Sequence, residues 1–301
     1  MNLAPIGIST YSRTKHLKQT IQALQKNTLA KESELYIFSD APKKGDEDIV
    51  GRVREYADSV TGYKKVHVVK RKSNGRVKNN RGGMKQLLDS HGKCIFMEDD
   101  IVTAPGFLQF INDGLEFYKN DKKVRFVGGH TPNLKTNLGN NEDVYFSKRF
   151  HGWGFGIWQN SFYILEQQVS LKELINNKNI KDALDENGTD LYNMVVADAK
   201  GDINASDVRV CYQMAIKDLY IALPTKTLVK NIGLDGSGVH CGNDDIYADD
   251  KLSKKTSFNF CRFYYDKKIH NEYKKFYKKP AIVVRVINKL SRIIFGRNLI
   301  K

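Results

Sequence analysis

The sequence predicts an α/β protein built on a mixed, mainly parallel sheet flanked by helices, and three observations predict it. Short β-rich runs alternate with amphipathic stretches through the first hundred residues, as strands joined by helical crossovers do. The apolar residues within each stretch recur at helical spacing. The runs end in polar or acidic residues, the place where open parallel sheets bind ligands.

Ile6-Gly7-Ile8 opens the series as a strand, and Leu17, Ile21 and Leu24 form the apolar stripe of a helix that Ser12 or Thr14 is expected to cap. Leu35–Phe38 is the second strand, ending at Ser39-Asp40, and Ile49, Val50, Val53, Tyr56, Ala57 and Val60 outline the next helix. Val66–Val69 is the third strand. Residues 73–83, rich in Asn, Gly and Arg, are expected to form a loop before a short helix bearing Met84, Leu87 and Leu88. Cys94–Met97 is the fourth strand, and three acids close it. Beyond it the pattern predicts a helix over Pro105–Tyr118 and a strand over Val124–Val127, then long polar, glycine-containing segments. Such loops are often functional. The chain divides into a body of residues 1–250, with halves at 1–100 and 101–250, and a tail of residues 251–301.

Charge marks the same boundary. Of the formal +15, residues 251–301 carry +13, with 15 Lys and Arg against Asp266 and Glu272. Nucleic acid, an anionic membrane and a phosphorylated substrate all attract such charge. Cys94, Cys211, Cys241 and Cys261 are scattered, without the spacing of a zinc site or a disulfide framework, which suits a reducing cytosol. No secretory signal opens the chain, and no run of about 18 apolar residues predicts a spanning helix. Membrane contact is therefore expected to be peripheral, on the inner face.

Glu98-Asp99-Asp100 is the most informative motif. Acids packed at the end of an apolar strand repel one another unless a cation or hydrogen-bond donors offset them. Hard oxygen ligands suit Mg²⁺ or Mn²⁺, which complete their shells with water and substrate phosphates. A solvated loop, or a cap for the helix near Pro105, is the plain alternative. The motif's place after four strand and helix units favours the site.

Here the chain resembles the GT-A glycosyltransferases, in particular the family-two group and the N-acetylglucosaminyltransferase I-like enzymes of bacterial polysaccharide type. The resemblance rests on Pro5–Arg13, Ile37–Asp40, Phe96–Ile101 and Gly152–Trp158, and extends over residues 3–242. It implies a GT-A fold with a Rossmann-like nucleotide-binding half. It also implies metal-dependent, inverting transfer of a hexosyl or N-acetylhexosaminyl group from a nucleotide-diphosphate donor, with a UDP-sugar favoured. The acceptor would be a glycan or lipid-linked molecule of surface polysaccharide synthesis. By resemblance, Thr10, Tyr11 and Arg13 would lie against the nucleobase, Asp40 would accept from the base, Glu98 would join the donor site, Asp99 would approach the ribose, and Asp100 would hold Mn²⁺ or Mg²⁺.

Trp153–Trp158 is aromatic and glycine-interrupted, suited to a wall that packs on a sugar face or to plain core. His151, with Lys148 and Arg149, could add donors toward diphosphate, or form a solvated basic turn. Asp207 stands where a helix begins, either as a cap or as the base that deprotonates the acceptor hydroxyl; Asp202 is the second candidate. In the related enzymes this acid often follows a tryptophan, which Ala205-Ser206 replaces here. His240 lies in a glycine-rich stretch, Asn231–His240, that resembles the end of the catalytic domain, and would be a third metal ligand or a phosphate donor.

In the tail, Phe258, Phe260, Phe263, Tyr264, Tyr265, Tyr273, Phe276 and Tyr277 alternate with Lys and Arg, as groups that stack on bases or sit at a lipid interface do. After Pro280, an apolar stripe from Ile282 to Ile294 opposite Arg285, Lys289 and Arg292 predicts a basic amphipathic helix, expected to lie on an anionic membrane or to pack on the protein. Two other functions compete with the transferase: a nucleic-acid-binding protein that uses this tail, and a catalytically silent sugar-binding relative. The near-neutral body and the lack of any nucleic-acid-binding motif disfavour nucleic acid as a partner.

Overall fold

The computed structural model describes residues 2–134, 143–235, 247, 251–278 and 291. The first hundred residues fold as four strands joined by three helices. They are β1 (Ile6–Thr10), α1 (Thr14–Leu24), β2 (Glu34–Ser39), α2 (Glu47–Asp58), β3 (Lys65–Lys70), α3 (Arg76–His91) and β4 (Lys93–Glu98). Then follow β5 (Ile101–Thr103), α4 (Phe107–Phe117), β6 (Val124–Gly128), β7 (Val144–Ser147) and β8 (Phe155–Trp158). A helical group comes next: α5 (Tyr163–Glu166), α6 (Leu171–Asn176), α7 (Lys178–Asp185), α8 (Leu191–Lys200) and α9 (Ser206–Ile216). β9 (Tyr220–Pro224), β10 (Val229–Asn231) and α10 (Lys267–Phe276) complete the described elements.

Eight strands form one sheet in the order β3-β2-β1-β4-β8-β6-β9-β7. The pairs from β3 through β4 are parallel, whereas β8 runs antiparallel to both its neighbours. The chain winds outward from β1 through β2 to β3 and then crosses to β4 on the other side of β1. Strand order therefore reverses between β1 and β4, and the crevice beyond their carboxyl ends is the switch point where such sheets take ligands. Parallel register sets Ser9 opposite Glu98, so the residues that follow each strand meet there.

Alternation along β4 divides the core. Cys94 and Phe96 face α3, α5–α9 and α10, while Ile95 and Met97 face α1, α2 and α4. All four are buried.

Two sequence expectations are corrected here. Residues 73–83 are not a loop throughout: α3 starts at Arg76, and Asn79 in its first turns is buried with its side-chain amide on the Phe38 carbonyl at 2.8 Å. Gly83, which reads as a helix breaker, is the place where the Phe38 ring lies against α3; a Cβ there would sit 2.8 Å from the ring. Tertiary contact overrides propensity at that position. Neither Ser12 nor Thr14 caps α1, because Arg13 stands at the N-cap position and makes no side-chain cap bond.

The aromatic residues of the tail are also reassigned. Phe258 and Phe260 pack on Phe110 with ring centroids 5.0 and 5.2 Å away, and Phe263 packs on Tyr220 at 4.5 Å. Tyr273 on α10 is fully buried and shares a 2.8 Å hydrogen bond with the Tyr145 hydroxyl. These four rings are spent inside the fold and are not available to bases or lipid, whereas Tyr265 stays exposed. Among the described residues, no helix is long and apolar enough to cross a membrane. The stretch from Pro280 to Lys301, apart from Ser291, lies outside the described residues.

Candidate functional site

A cavity of about 750 Å³ opens beyond the carboxyl ends of β1, β2 and β4. Thr10, Tyr11, Arg13, Asp40, Glu98, Asp99, Asp100, His151, Trp153 and Asp207 all line it. Residues scattered over two hundred positions are thus brought together by the reversal of strand order.

The acids at the end of β4 have unequal surroundings. Asp99 accepts from the Thr10 hydroxyl at 2.7 Å and from Arg13 at 2.5 Å. Burial nevertheless raises its pKa above the ordinary carboxylate range, against the pull of Arg13. Asp100 receives the same Arg13 nitrogen on Oδ2 at 2.8 Å, while its Oδ1 is buried and, among the described residues, has no hydrogen-bond partner. A buried carboxylate oxygen without a partner is costly. Glu98 accepts from the Asn80 amide at 3.1 Å and is pushed up to about 7, first by burial and then by Asp100, Asp207 and Asp99.

Backbone from a distant segment closes over this corner. β10 pairs with β5, so that Asn231 lies opposite Ile101 and the Ile232 N–H donates to the Asp100 carbonyl at 2.9 Å. Gly233 then passes so close that a Cβ would lie 2.2 Å from Asp100 Oδ2; no larger residue fits without displacing the carboxylate. His240, expected as a metal ligand further along this stretch, lies outside the described residues.

The partner-free Asp100 oxygen, surrounded by acids held above their ordinary pKa, suits a hard divalent cation. Among the described residues, no group of three or more His, Cys, Asp or Glu side chains is arranged to chelate one. Asp100 would be its main protein ligand, with water and ligand phosphates supplying the rest, as Mg²⁺ in particular accepts.

The other predicted residues are placed as follows. Thr10 spends its hydroxyl on Asp99, and Arg13 spans Asp99 and Asp100. The Tyr11 hydroxyl donates to Asp46 and accepts from the Lys43 N–H at 3.0 Å. Asp40 is more than a turn residue before Pro42: it takes the Gly75 N–H on both oxygens, at 3.1 and 3.0 Å, and ties the start of α3 to the end of β2.

Trp153 lines the cavity, its ring set edge-on to His130 at 4.5 Å and to Tyr247 at 4.8 Å. The rest of its motif does other work. Phe155–Trp158 is the sheet strand β8, and Trp158 donates to the Leu115 carbonyl at 3.2 Å. His151 shares a 3.0 Å hydrogen bond with the Tyr277 hydroxyl; burial, then His130 and Arg149, hold its pKa well below the ordinary value, so it is neutral. The neighbouring cations are not a solvated turn and are already engaged. Arg149 forms a two-pronged pair with Asp190 at 2.8 Å, and Lys148 pairs with Asp218 at 2.8 Å.

Asp207 lies in the first turn of α9 but does not cap it; its Oδ2 accepts from the Gly152 N–H across the cavity wall at 2.8 Å. Burial raises its pKa, against the pull of the Gly152 N–H and Arg81. Asp202, the second candidate for the base, is corrected: it is exposed just past α8 and lines no part of the cavity. Sequence reasoning missed Arg76, Asn79 and Asn80, which line the cavity from α3, because their segment reads as a loop. Their i, i+3 and i+4 spacing was the available signal.

No known family's sequence model matches this chain, and no curated relative matches it. Among solved structures, the chain is similar to TarS of S. aureus, at 12% identity over 75% of this chain and 36% of that one, with a TM-score of 0.40. A TarS structure of residues 1–349 is similar at 13% identity over 75% and 59%, also with a TM-score of 0.40. The mannosyltransferase PcManGT from Pyrobaculum calidifontis, in complex with GDP-Man and Mn2+, is similar at 12% identity over 55% and 48%, with a TM-score of 0.36. The match covers less than two thirds of each of those chains, and likeness at this distance carries no functional conclusion.

Proposed function

We propose that this chain is a glycosyltransferase that holds a nucleotide-diphosphate sugar in the 750 Å³ cavity and passes the sugar to an acceptor hydroxyl beside Asp207. One observation carries the reading: Asp100, one of whose buried oxygens has no partner among the described residues, lines the same cavity at the switch point as the half-buried Asp207, whose pKa is raised. The volume lies within the range of ligand sites, roughly 300–1,000 Å³.

In this reading Tyr11 and Asp40 form the nucleobase end and Asp99 faces the ribose. Asp100 holds Mn²⁺ or Mg²⁺, which when bound offsets the charge developing on the departing diphosphate. Asp207 takes the proton of the acceptor hydroxyl. As that proton leaves, the acceptor oxygen bonds to the anomeric carbon, the bond from that carbon to the phosphate oxygen breaks, and the nucleoside diphosphate departs with the electron pair. Attack from the face opposite the leaving group inverts the anomeric centre. A proton acceptor works best when its pKa lies near the operating pH, and burial moves Asp207 in that direction.

The test is thermal denaturation with UDP or GDP, with and without Mn²⁺. One nucleotide with Mn²⁺ at saturating concentration is expected to raise Tm by roughly 5 °C. No shift with either would overturn the donor reading. Release of nucleoside diphosphate from a sugar nucleotide then separates an enzyme from a silent sugar-binding relative.

We further propose a glycan or lipid-linked acceptor of surface polysaccharide synthesis, met at the inner membrane face by residues 280–301. The amphipathic pattern of that stretch motivates this reading. Deleting residues 280–301 is expected to abolish sedimentation with anionic vesicles and to leave nucleotide binding intact; unchanged sedimentation refutes it.

A further inference from the structure

A second cavity, of about 310 Å³, lies between α3 and α9 and shares Arg76, Asn80, Glu98, Gly152 and Asp207 with the larger one. Asp207 stands on the border between the two. Gly152 engages its Oδ2, and its Oδ1 has just the Ser206 hydroxyl, at 3.5 Å, among described partners. A hydroxyl reaching Asp207 from the smaller cavity would enter on the side away from Arg13 and Asp100.

The lining of this smaller cavity is specific. Arg76, Val77, Asn80, Arg81 and Met84 present one face of α3 to it at i, i+4 spacing, and Phe150, Phe155 and Leu165 form an apolar wall. Three arginines line it, and they differ. Arg209 is paired with Asp198 at 2.8 Å. Among the described residues, exposed Arg76 and half-buried Arg81 make no hydrogen bond or ion pair; burial disfavours the charge of Arg81, and only the more distant Asp207 and Glu166 offset it. The acids Glu98 and Asp207 sit at the border with the larger cavity, while Glu166 is exposed at the rim. A half-buried guanidinium whose donors bind no described residue can take an anion, because Arg presents a fork of donors matched to phosphate and carboxylate.

We propose that this cavity is the acceptor subsite and that Arg81, with Arg76, selects an acceptor unit carrying an anionic group, phosphate or carboxylate, near the hydroxyl that reacts. The proposal rests on the transferase reading for its purpose, but the anion site itself is tested separately. The apolar wall takes the carbon face of the sugar or polyol, and the two guanidinium groups take the charge. They also offset the repulsion between an anionic acceptor and Asp207.

Isothermal titration of the full chain, with and without UDP and Mn²⁺, uses three probes: glucose 6-phosphate, glucuronate and glucose. The phosphate or the carboxylate is expected to bind at least about tenfold more tightly than glucose, the equivalent of one charged hydrogen bond. The arm that binds identifies the anion. Arg81→Gln is expected to abolish that preference while leaving the affinity for UDP with Mn²⁺ unchanged, since Arg81 lines the smaller cavity and not the larger. Arg76→Gln weakens the preference as well. Equal binding of all three probes, no binding of any, or a preference that survives Arg81→Gln overturns the proposal. If UDP fails to bind while the anion preference holds and depends on Arg81, the donor reading falls and the anion site stands.

Discussion

The acidic corner at the end of β4 and the basic segment at residues 251–278 are both strongly charged, and they are built on opposite terms. At the corner, the half-buried Glu98 stands beside the buried Asp99 and Asp100; Glu98 and Asp99 have raised pKa values, and one oxygen of Asp100 has no partner among the described residues. In the segment, charge faces outward and most aromatic rings pack inward, Tyr265 excepted. Lys255 reaches Asp143 at 2.7 Å, Lys275 reaches Glu272 at 2.6 Å, and Tyr273 fills the core. The segment carries the larger charge with little conflict, whereas the corner carries a smaller charge with much. Local inconsistency of this kind is retained where a ligand resolves it.

The largest expected effect breaks the corner. Asp100→Asn keeps the shape and removes the charge, so metal-dependent donor turnover should fall by about a thousandfold or more. Tm should change little. Near-normal turnover with Mn²⁺ would mean that the conflict at the corner has no catalytic purpose.

The segment should respond the other way. Truncating the fully buried ring in Tyr273→Ala is expected to cost about 3–5 kcal/mol of stability, read from denaturant unfolding, with the nucleotide response retained wherever the protein is folded. A loss under 1 kcal/mol would show that α10 is not integral to the fold.

A smaller effect comes from pH. His270 on α10 is buried, its Nδ1 has no partner, and burial, then Lys148, holds its pKa down at about 4. The unfolded chain takes up a proton near pH 6.5, which the folded chain refuses until about pH 4. Stability should therefore drop as pH falls through that window, by about 3 kcal/mol in all. His270→Phe should flatten this slope; an unchanged slope would assign the acid sensitivity to other groups.

Much of the first half was legible because its signals are local. The alternation that outlines β1 to β4 depends on neighbours one to four positions away, and the acids after Met97 follow directly in the chain. Residues 73–83 were misread because Gly83 is small for the sake of Phe38, 45 positions earlier. The tail aromatics were misread because rings interleaved with lysine look alike whether they face lipid or core; Phe110 and Tyr145 decide that here. In sequence, Asp207 was the first candidate for the base and Asp202 the second. One meets the Gly152 N–H at the cavity wall and the other stands in solvent.

By itself, then, the sequence determined the strand and helix alternation, the place where strand ends expose polar groups, and the asymmetry of charge. All of these are properties of composition and short-range spacing. Tertiary structure alone decided which acids lose their hydration, which arginines remain unpaired and which aromatics vanish into the core. Burial and pairing depend on residues distant in the chain, and desolvation acts only once those residues have closed around a group.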